Sequence, residues 1–484
     1  MTARRPTLLI AALLSAGLVA GCGSSGQAAP ASSATSTVSS LTQPSTVTTT
    51  ESATTTESAV PTDPPAPAQS PATEPPTTEP PAAAPPAAPA PAAAVPPGGL
   101  VTSADMAAAS AAVAGMSVAD QAGTVVMVSS ADAVGTNLVS QLHLGGVILM
   151  GSKGAIDGTE GGTPEEVAAV TAQLQSQVPA GQAGAPLLIA TDQEYGLVTR
   201  LVNGFTDFPG AQELSSIGDT EAAAAQTRAV TAAAGAELLA VGVNVDFAPD
   251  ADVLPESGPS GIDDRSFGSD PERAGTLVAA AVQGYQSAGL AATIKHFPGI
   301  GRTATDTHKA LPSLDASCTE WNAVEAVPMR AGVDAGVALV MTGHIALPAV
   351  GVEGVSSALA SAAVTELLKG NGVSGCNGLN FAGVSVSDSF QMAPVVDNYG
   401  PAEAAWRGIA AGQDLVLMPV KPAEAVAGIS AAVADGSLPA SRLQDAATKV
   451  YALRLALARS TTPGLEVVGS DAHAAIAAEA RAAG

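Results

Sequence analysis

Eight short apolar runs rich in Val, Ile and Leu recur in the chain, and Ala-rich segments of helical length separate them. The runs occupy residues 123–128, 144–150, 186–191, 242–248, 291–295, 338–342, 382–387 and 413–418. Near-continuous apolar runs are typical of parallel strands that are buried on both faces. Eight strands that alternate with helices predict an α/β fold in which one (β/α)8 barrel of the TIM type spans residues 100–460.

Polar residues directly follow five of these runs. They are Asp192, Gln193 and Glu194 after the third run, Asp246 and Asp250 at the end of the fourth, Lys295 and His296 at the fifth, His344 after the sixth and Asp388 after the seventh. In a barrel the carboxyl ends of the strands converge on one mouth, where barrel enzymes keep their active sites. The sequence therefore predicts an enzyme whose site is assembled from distant parts of the chain.

Two of these segments contain recognisable motifs. The first is Lys295-His296-Phe297-Pro298-Gly299 followed by Asp306-Thr307-His308, and the second is Ser387-Asp388-Ser389-Phe390-Gln391-Met392. Over about residues 105–455 the chain resembles bacterial β-N-acetylglucosaminidases of glycoside hydrolase family 3. The resemblance implies a retaining exo-glycosidase that needs no cofactor and acts on small GlcNAc-terminated saccharides or muropeptides.

Retaining hydrolysis requires a nucleophile and a proton donor on opposite sides of the anomeric carbon. By resemblance, Asp388 is the nucleophile and His308 is the proton donor, oriented by Asp306. An imidazole with a pKa of about 6.5 can both give and take a proton near neutral pH. The alternatives are two roles outside catalysis: Asp388 caps a helix, and His308 is an inert loop residue.

The resemblance also assigns substrate contacts, because an exo-acting enzyme must hold the hydroxyls of one terminal sugar with charged and bidentate hydrogen bonds. The expected contacts are Asp192, Arg200, Arg265, Lys295 and His296. Any one of them alone is equally typical of a surface ion pair.

Three histidines remain outside the two motifs. We expect His344 to line the same mouth, and His143 and His473 to be structural or exposed.

Tyr195 stands where the family more often has Gly, and Ile300 replaces a frequent His. We expect Tyr195 to narrow or reshape the pocket.

The first residues predict export and a lipid anchor. Arg4 and Arg5 precede an apolar run that is too short to span a bilayer, which is typical of a signal peptide over residues 1–21. The run ends in Val19-Ala20-Gly21-Cys22, which resembles a bacterial lipobox, although an ordinary cleavage site that carries a Cys is the alternative. Acyl chains on Cys22 would hold the protein on the outer face of the cell membrane.

Residues 22–99 predict a disordered tether rich in Pro, Ala, Ser and Thr. From Gly23 to Gly99 the chain holds 17 of its 36 prolines and no Lys or Arg, so it cannot bury a core. Such a tether would extend the barrel from the membrane into the cell wall. The tail at 461–484 lies beyond the resemblance, and no role is predicted for it.

Charge and aromatic content limit the partners. Loss of Arg4 and Arg5 with the signal changes the formal net charge from −25 to −27, which argues against nucleic acid and against electrostatic docking on an anionic membrane. We therefore expect membrane contact through the lipid alone. A monomer is the expected state, although the sequence leaves the oligomeric state open. Aromatic residues are only 3% of the chain, which favours a small end-on pocket over a long stacking groove.

Cys318 and Cys376 remain after lipidation of Cys22, in a compartment that permits a disulfide. The predicted elements place them at opposite ends of the barrel, so residues 309–327 would have to run back along its side for the sulfurs to meet. A disulfide between the two is nevertheless predicted as possible. We expect no metal, since no Cys/His cluster has ligand spacing.

Two other functions stay open. A His acid/base is compatible with attack by phosphate, because a neutral imidazole repels an incoming anion less than a carboxylate does, so a glycoside phosphorylase of the same family is one alternative. A catalytically silent sugar-binding surface lipoprotein is the other.

Overall fold

The computed structural model describes residues 99–182 and 184–484. The predicted signal peptide, Cys22 and the tether up to residue 98 lie outside the described residues. In the part of the chain that the structure describes, no helix combines the length and the apolar character needed to cross a membrane.

The strands are β1 (Val126–Ser129), β2 (Gly146–Ile148), β3 (Gly151–Ser152), β4 (Ala155–Ile156), β5 (Leu188–Thr191), β6 (Gln193–Tyr195), β7 (Val198–Thr199), β8 (Val245–Asp246), β9 (Ala291–Phe297), β10 (Leu339–Thr342), β11 (Gly372–Val373), β12 (Cys376–Asn377), β13 (Val384–Ser387) and β14 (Val416–Leu417).

The α-helices are α1 (Ser103–Ala114), α2 (Val118–Thr124), α3 (Ser130–Ala133), α4 (Leu138–Leu142), α5 (Pro164–Gln175), α6 (Ala211–Ser215), α7 (Thr220–Ala240), α8 (Pro271–Ala288), α9 (Cys318–Ala323), α10 (Ala326–Asp334), α11 (Ala393–Val396), α12 (Pro401–Ala411), α13 (Pro422–Asp435), α14 (Ala440–Leu457) and α15 (Asp471–Ala483). A π-helix spans Ala362–Leu368.

Eight parallel strands form the barrel, in the order β13-β10-β9-β8-β5-β2-β1-β14. A parallel bridge between Val386 and Leu415 joins the two ends of this order. Each strand lies within or overlaps one of the eight apolar runs, so the predicted (β/α)8 barrel is confirmed. The small pairs β3–β4, β6–β7 and β11–β12 are antiparallel additions between barrel strands.

Local sequence signals account for the outer helices. Thr163 caps α5 in a capping box with Glu166, and Pro164 occupies the first turn. Helix α8 ends at Gly289, whose φ of 97° is the left-handed conformation that glycine adopts without strain. Helices α7 and α8 pack closely because Gly284 has no side chain; a Cβ there would overlap the Thr231 hydroxyl.

The apolar core has two layers. Side chains that point into the barrel include Met127, Leu188, Phe247 and Leu339, and all are fully buried. The larger outer cluster fills the space between the strands and the helices. This arrangement explains the apolar runs, since both faces of each strand exclude water.

The C-terminal tail is part of the fold. Helix α15 packs against α7, where the buried carboxylate of Glu237 accepts hydrogen bonds from the backbone N–H of Gly469 at 3.1 Å and from Nδ1 of His473 at 2.8 Å. Glu237 also accepts from Thr206 in the loop that follows β7. His473 is thus structural, as is His143, whose Nδ1 lies 2.6 Å from Asp120.

Cys318 and Cys376 are joined by a disulfide. Cys318 begins α9, and Cys376 lies on the β11–β12 hairpin, which packs against that helix. The side chain of Asn322 on α9 donates to Gly375 O and accepts from Asn377 N, at 3.1 and 2.8 Å. The predicted possible disulfide is therefore confirmed, and it forms because this hairpin, which the apolar pattern does not predict, carries Cys376 to α9 instead of leaving it at the opposite end of the barrel.

Candidate active site

A cavity of about 430 Å³ opens where the carboxyl ends of the strands converge. Every predicted catalytic and sugar-binding residue lines it: Asp192, Arg200, Arg265, Lys295, His296, Asp306, His308 and Asp388. These residues come from the segments that follow or end β5, β8, β9 and β13. The barrel therefore brings together side chains that are nearly 200 positions apart in the chain, from 192 to 388.

A buried lysine lies at the bottom of the charged cluster. Lys295 Nζ is 3.0 Å from Asp192 Oδ1 and 2.5 Å from Glu194 Oε1. Arg265 binds the same Glu194 carboxylate through Nε and Nη2, at 2.7 and 2.9 Å. Glu194 was not among the predicted site residues. The period of two along a strand places it on the same face as Asp192, and this is the signal that could have identified it.

The ion pairs set the protonation states of the cluster. Burial would raise the pKa of Asp192, but Lys295 and Arg200 outweigh it and lower the pKa to about 2. Burial would also raise the pKa of Glu194, and Lys295 and Arg265 lower it instead. For Lys295 burial would lower the pKa, but Glu194 and Asp192 raise it above its ordinary value. The cavity therefore presents fixed charges rather than proton-transfer groups at this end.

Arg200 is positioned by the β6–β7 hairpin. Its backbone N–H donates to Gln193 Oε1 at 2.9 Å, and its guanidinium contacts Asp192 Oδ2 at 3.3 Å and Gly151 O at 3.1 Å. Among the described residues, its buried Nε has no hydrogen-bond partner. The Arg200 side chain lines the cavity, and a guanidinium fixed in this way is suited to donate to a sugar hydroxyl.

His296 is held by a carboxylate that the sequence reasoning missed. Asp252, which is buried, accepts from His296 Nδ1 at 2.7 Å and from its backbone N–H at 3.2 Å, and its other oxygen accepts from Ile300 N at 2.6 Å. Arg265 Nη2 lies 3.3 Å from His296 Nε2. A guanidinium can only donate, so Nε2 is the acceptor and Nδ1 carries the proton.

Asp250, Asp252 and His296 offer atoms within 4.8 Å of one another, a spacing that could hold a metal ion. However, the Arg265 guanidinium lies 3.7 Å from Asp250 Oδ2, where it would repel a second cation. Burial and the neighbouring charge of Asp252 raise the pKa of Asp250 well above its ordinary value. The three residues therefore fit a hydrogen-bond network around Arg265 better than a metal site.

Asp388 follows β13 and is fixed through its backbone. Its N–H donates to Thr342 O on β10 at 2.8 Å, and its Oδ1 accepts from Ser389 N at 2.7 Å. The next helix, α11, begins five residues later with Met392 as its cap residue, so Asp388 does not cap it. The carboxylate is free of that structural role and borders the cavity.

His344 lies beneath this loop and does not line the cavity, so the expectation that it lines the mouth is wrong. Its Nε2 is 2.9 Å from Ser389 O, and its Nδ1 is 2.8 Å from the Ser356 hydroxyl. Burial lowers its pKa. His344 is fully buried and supports the segment that carries Asp388.

Asp306 and His308 lie on the exposed loop after β9. His308 Nδ1 is 3.0 Å from Asp306 Oδ1, and 76% of the His308 side chain is exposed. Lys309 also binds Asp306, at 2.8 Å. Hydrogen bonds from Lys309 and then from His308 lower the pKa of Asp306 to about 2. The base of the loop is held by Arg302, which pairs with the buried Glu325 at 2.5 and 3.0 Å.

The two departures from the family pattern differ in outcome. Tyr195 has a φ of 65°, and its ring packs edge-on against Phe208 with the centroids 5.4 Å apart, away from the cavity. The expectation that Tyr195 narrows the pocket is therefore wrong. Ile300 does line the cavity, near the charged cluster.

Comparisons with known proteins agree with this geometry. The sequence profile of the "Glycosyl hydrolase family 3 N terminal domain" matches residues 117–453. Beta-hexosaminidase LpqI of Mycobacterium tuberculosis is 31% identical over 348 residues, which are 70% of this chain and 83% of that protein. Beta-hexosaminidase A of Pseudoalteromonas piscicida is 31% identical over 59% of this chain, and the match spans about half (47%) of its own length.

A solved structure is similar as well. It is a glycoside hydrolase family 3 beta-N-acetylglucosaminidase from Paenibacillus sp. str. FPU-7, with a TM-score of 0.67 and 32% identity. The similarity covers 75% of this chain and 68% of that one.

Proposed function

Because the chain belongs to glycoside hydrolase family 3, we propose that it is a retaining exo-β-N-acetylglucosaminidase. It removes terminal β-linked GlcNAc from small saccharides, and muropeptides or other cell-wall fragments are the proposed natural substrates. The relatives that carry the names beta-hexosaminidase and beta-N-acetylglucosaminidase support this choice of sugar.

One observation supports the proposal above the others. A carboxylate without a capping role, Asp388, and an imidazole paired with a carboxylate, His308 with Asp306, border the same cavity as a cluster of buried charges. A nucleophile, a proton donor and a hydroxyl-binding surface are the three parts that glycoside hydrolysis requires. A protein that only binds sugar needs the third part alone.

The proposed reaction has two steps. The Asp388 carboxylate attacks the anomeric carbon as the bond to the leaving oxygen breaks, and His308 gives its proton to that oxygen. His308 then takes a proton from water, whose oxygen attacks the same carbon and releases GlcNAc and the Asp388 carboxylate. Asp306 remains an anion throughout and stabilises the imidazolium form of His308.

The charged cluster binds and orients the sugar. Asp192 and Lys295 present opposite charges at the base of the cavity, while Arg200 and Arg265 present guanidinium donors. Charged hydrogen bonds of this kind are about twice as strong as neutral ones. His296, held by Asp252, adds a hydrogen-bonding ring next to Arg265.

The proposed location is the outer face of the cell membrane. Acylation at Cys22 and a tether over residues 22–99 would place the domain at 100–460 within the cell wall. Mass spectrometry of the protein from membranes tests this, since a Cys22→Ala variant should lose the acyl mass and the membrane association.

The first experiment follows release of nitrophenol from aryl β-GlcNAc and aryl β-glucoside, with and without phosphate. We expect GlcNAc-selective release that does not depend on phosphate. Asp388→Ala should retain less than about 1% of this rate, because it removes the nucleophile, and His308→Ala should retain less than about 1% of the rate on methyl β-GlcNAc, whose leaving group must be protonated.

Other outcomes distinguish the alternatives. A rate that depends on phosphate and yields a glycosyl phosphate would identify a phosphorylase. Binding of GlcNAc by calorimetry without turnover of either glycoside would identify a sugar-binding protein.

A further inference from the structure

A second, smaller cavity lies beside the candidate active site. Its volume is about 120 Å³, and its lining includes Phe390, Val395, Val396, Tyr399 and Val420. In the described part of the chain, none of the residues that line this groove is charged. It differs in this from the charged cavity next to it, so we refer to it as the apolar groove.

Neighbouring residues of two chain segments line the groove and the active-site cavity. Met392 lines the cavity, and Val395, one turn further along the chain, lines the groove. Met418 lines the cavity, and the next residue, Pro419, lines the groove. Two chain segments therefore contribute to the walls of both sites.

Exposed apolar side chains are concentrated here. The described residues include four large hydrophobic side chains that are exposed, namely Val118, Leu197, Val396 and Val420, and two of the four border the groove. Val396 is 40% exposed and Val420 is 45% exposed. Single exposed valines need no explanation, but two exposed valines that line one apolar groove indicate a binding surface.

We propose that the apolar groove binds an aliphatic part of the leaving group. This inference rests on the proposed hydrolase function and names a property of its substrate: an aglycone that carries a short alkyl or acyl chain.

The position of the acid/base loop supports this occupant. The leaving oxygen must lie beside the group that protonates it, which is His308 in the proposed reaction. The backbone N–H of Ala393, the first residue of α11, donates to His308 O at 3.3 Å. Helix α11 carries Val395 and Val396, so a leaving group that emerges past His308 meets the start of the groove.

The chemistry of the lining favours an aliphatic chain over a second sugar ring as the occupant of the groove. Sugars bind proteins through charged or polar side chains and by stacking on open aromatic faces. The groove has no charge, and the guanidinium of Arg407 lies 5.6 Å from the centre of the Tyr399 ring. That face of the ring is therefore covered, and most of the other residues that line the groove are aliphatic.

The test compares methyl β-GlcNAc with hexyl β-GlcNAc, which differ only in the length of the aliphatic aglycone. Each methylene that is removed from water favours binding roughly fourfold. We expect the KM of the wild-type protein to be about tenfold lower for the hexyl glycoside, since only part of the chain fits the groove.

The test variant replaces the two exposed valines that line the groove. The double variant Val396→Ser and Val420→Ser should raise the KM for the hexyl glycoside toward that for the methyl glycoside. The kcat values and the KM for the methyl glycoside should be unchanged. Val118→Ser is the matched control, because Val118 is 39% exposed and lies on α2, outside both cavities.

The outcomes separate this inference from the proposed function. Equal KM values of the wild type for the two glycosides would overturn the inference and leave the hydrolase intact. The same holds if the double variant keeps the hexyl preference, or if Val118→Ser loses it to the same extent. Absence of turnover of both alkyl glycosides would overturn this inference, and absence of turnover of aryl β-GlcNAc as well would overturn the proposed function.

Discussion

His308 Nδ1 lies 3.0 Å from Asp306 Oδ1, yet three quarters of the His308 side chain is exposed to solvent. The carboxylate orients the ring, but most of the ring surface faces solvent. A proton donor in this state resembles one that completes its contacts only when substrate fills the cavity. The pair can therefore be tested separately from the rest of the cavity.

Asp306→Asn should slow the hydrolysis of alkyl glycosides far more than that of nitrophenyl glycosides. A neutral amide stabilises the imidazolium less well than a carboxylate, and an alkoxide leaves only when it is protonated. We expect a loss of about 10²-fold in kcat for methyl β-GlcNAc and a much smaller loss for the nitrophenyl substrate.

Lys309→Gln is the control for this experiment, because Lys309 also binds Asp306 but has no place in the proposed reaction. Both substrates should be turned over at the wild-type rate. Equal losses of kcat for the two substrates in Asp306→Asn would instead mean that Asp306 maintains the conformation of the loop and does not stabilise the imidazolium form of His308.

Glu194→Gln should reduce both stability and activity. Glu194 is nearly inaccessible and pairs with Lys295 and Arg265, so its neutralisation leaves two buried cations with one carboxylate fewer. Loss of one partner from a buried ion pair costs about 3 to 5 kcal/mol in the free energy of unfolding. Urea unfolding and kcat/KM for aryl β-GlcNAc measure the two effects.

Glu403→Gln is the comparison, since Glu403 pairs with Arg407 on the exposed face of α12. Such a pair contributes about 0.3 to 0.5 kcal/mol. If Glu194→Gln and Glu403→Gln lowered the free energy of unfolding by a similar, small amount, the buried cluster would have to relax or admit water when Glu194 is neutralised.

Asp192 should make stability depend on pH in the acid range. Its pKa is about 2 in the folded protein and 3.8 in its ordinary state, so folding favours the charged form. The resulting stabilisation is complete above pH 4 and is lost as the pH falls toward 2; it amounts to on the order of 2 kcal/mol.

The measurement is the difference in unfolding free energy between the wild type and Asp192→Asn, by urea titration at several pH values. The difference should shrink as the pH falls from about 4 to about 2. A difference that stays constant over this range would show that Asp192 has no lowered pKa in the folded protein.

The barrel could be predicted because its strands are buried on both faces. A strand such as Val384–Ser387 cannot contain charges and remain in the wall of the barrel, so its apolar run is visible in the sequence. The ends of the same strands converge, so Lys295 and Asp388 could be placed in one site without knowledge of the loops.

The parts that could not be predicted depend on loop conformation. Asp252 reaches His296 only because the chain turns after β8, and no periodic pattern describes such a turn. The direction of Tyr195 follows from its positive φ, which the sequence does not reveal at a non-glycine residue. The short β11–β12 hairpin is likewise too brief to produce an apolar pattern, and this is why the cysteines were expected to lie apart.

Replacement of both cysteines, Cys318→Ala with Cys376→Ala, should lower stability and leave catalysis unchanged. The disulfide closes a segment with a sequence separation of 58 residues, and the loss of this constraint on the unfolded chain costs about 4 kcal/mol in the chain-entropy relation. Neither cysteine borders the cavity, and the loop that carries His308 is held separately by Arg302 and Glu325. Urea unfolding and kcat for aryl β-GlcNAc measure the two properties. A large fall in kcat with unchanged stability would mean that the disulfide positions the acid/base loop, and the Arg302–Glu325 pair would then be insufficient to hold its base.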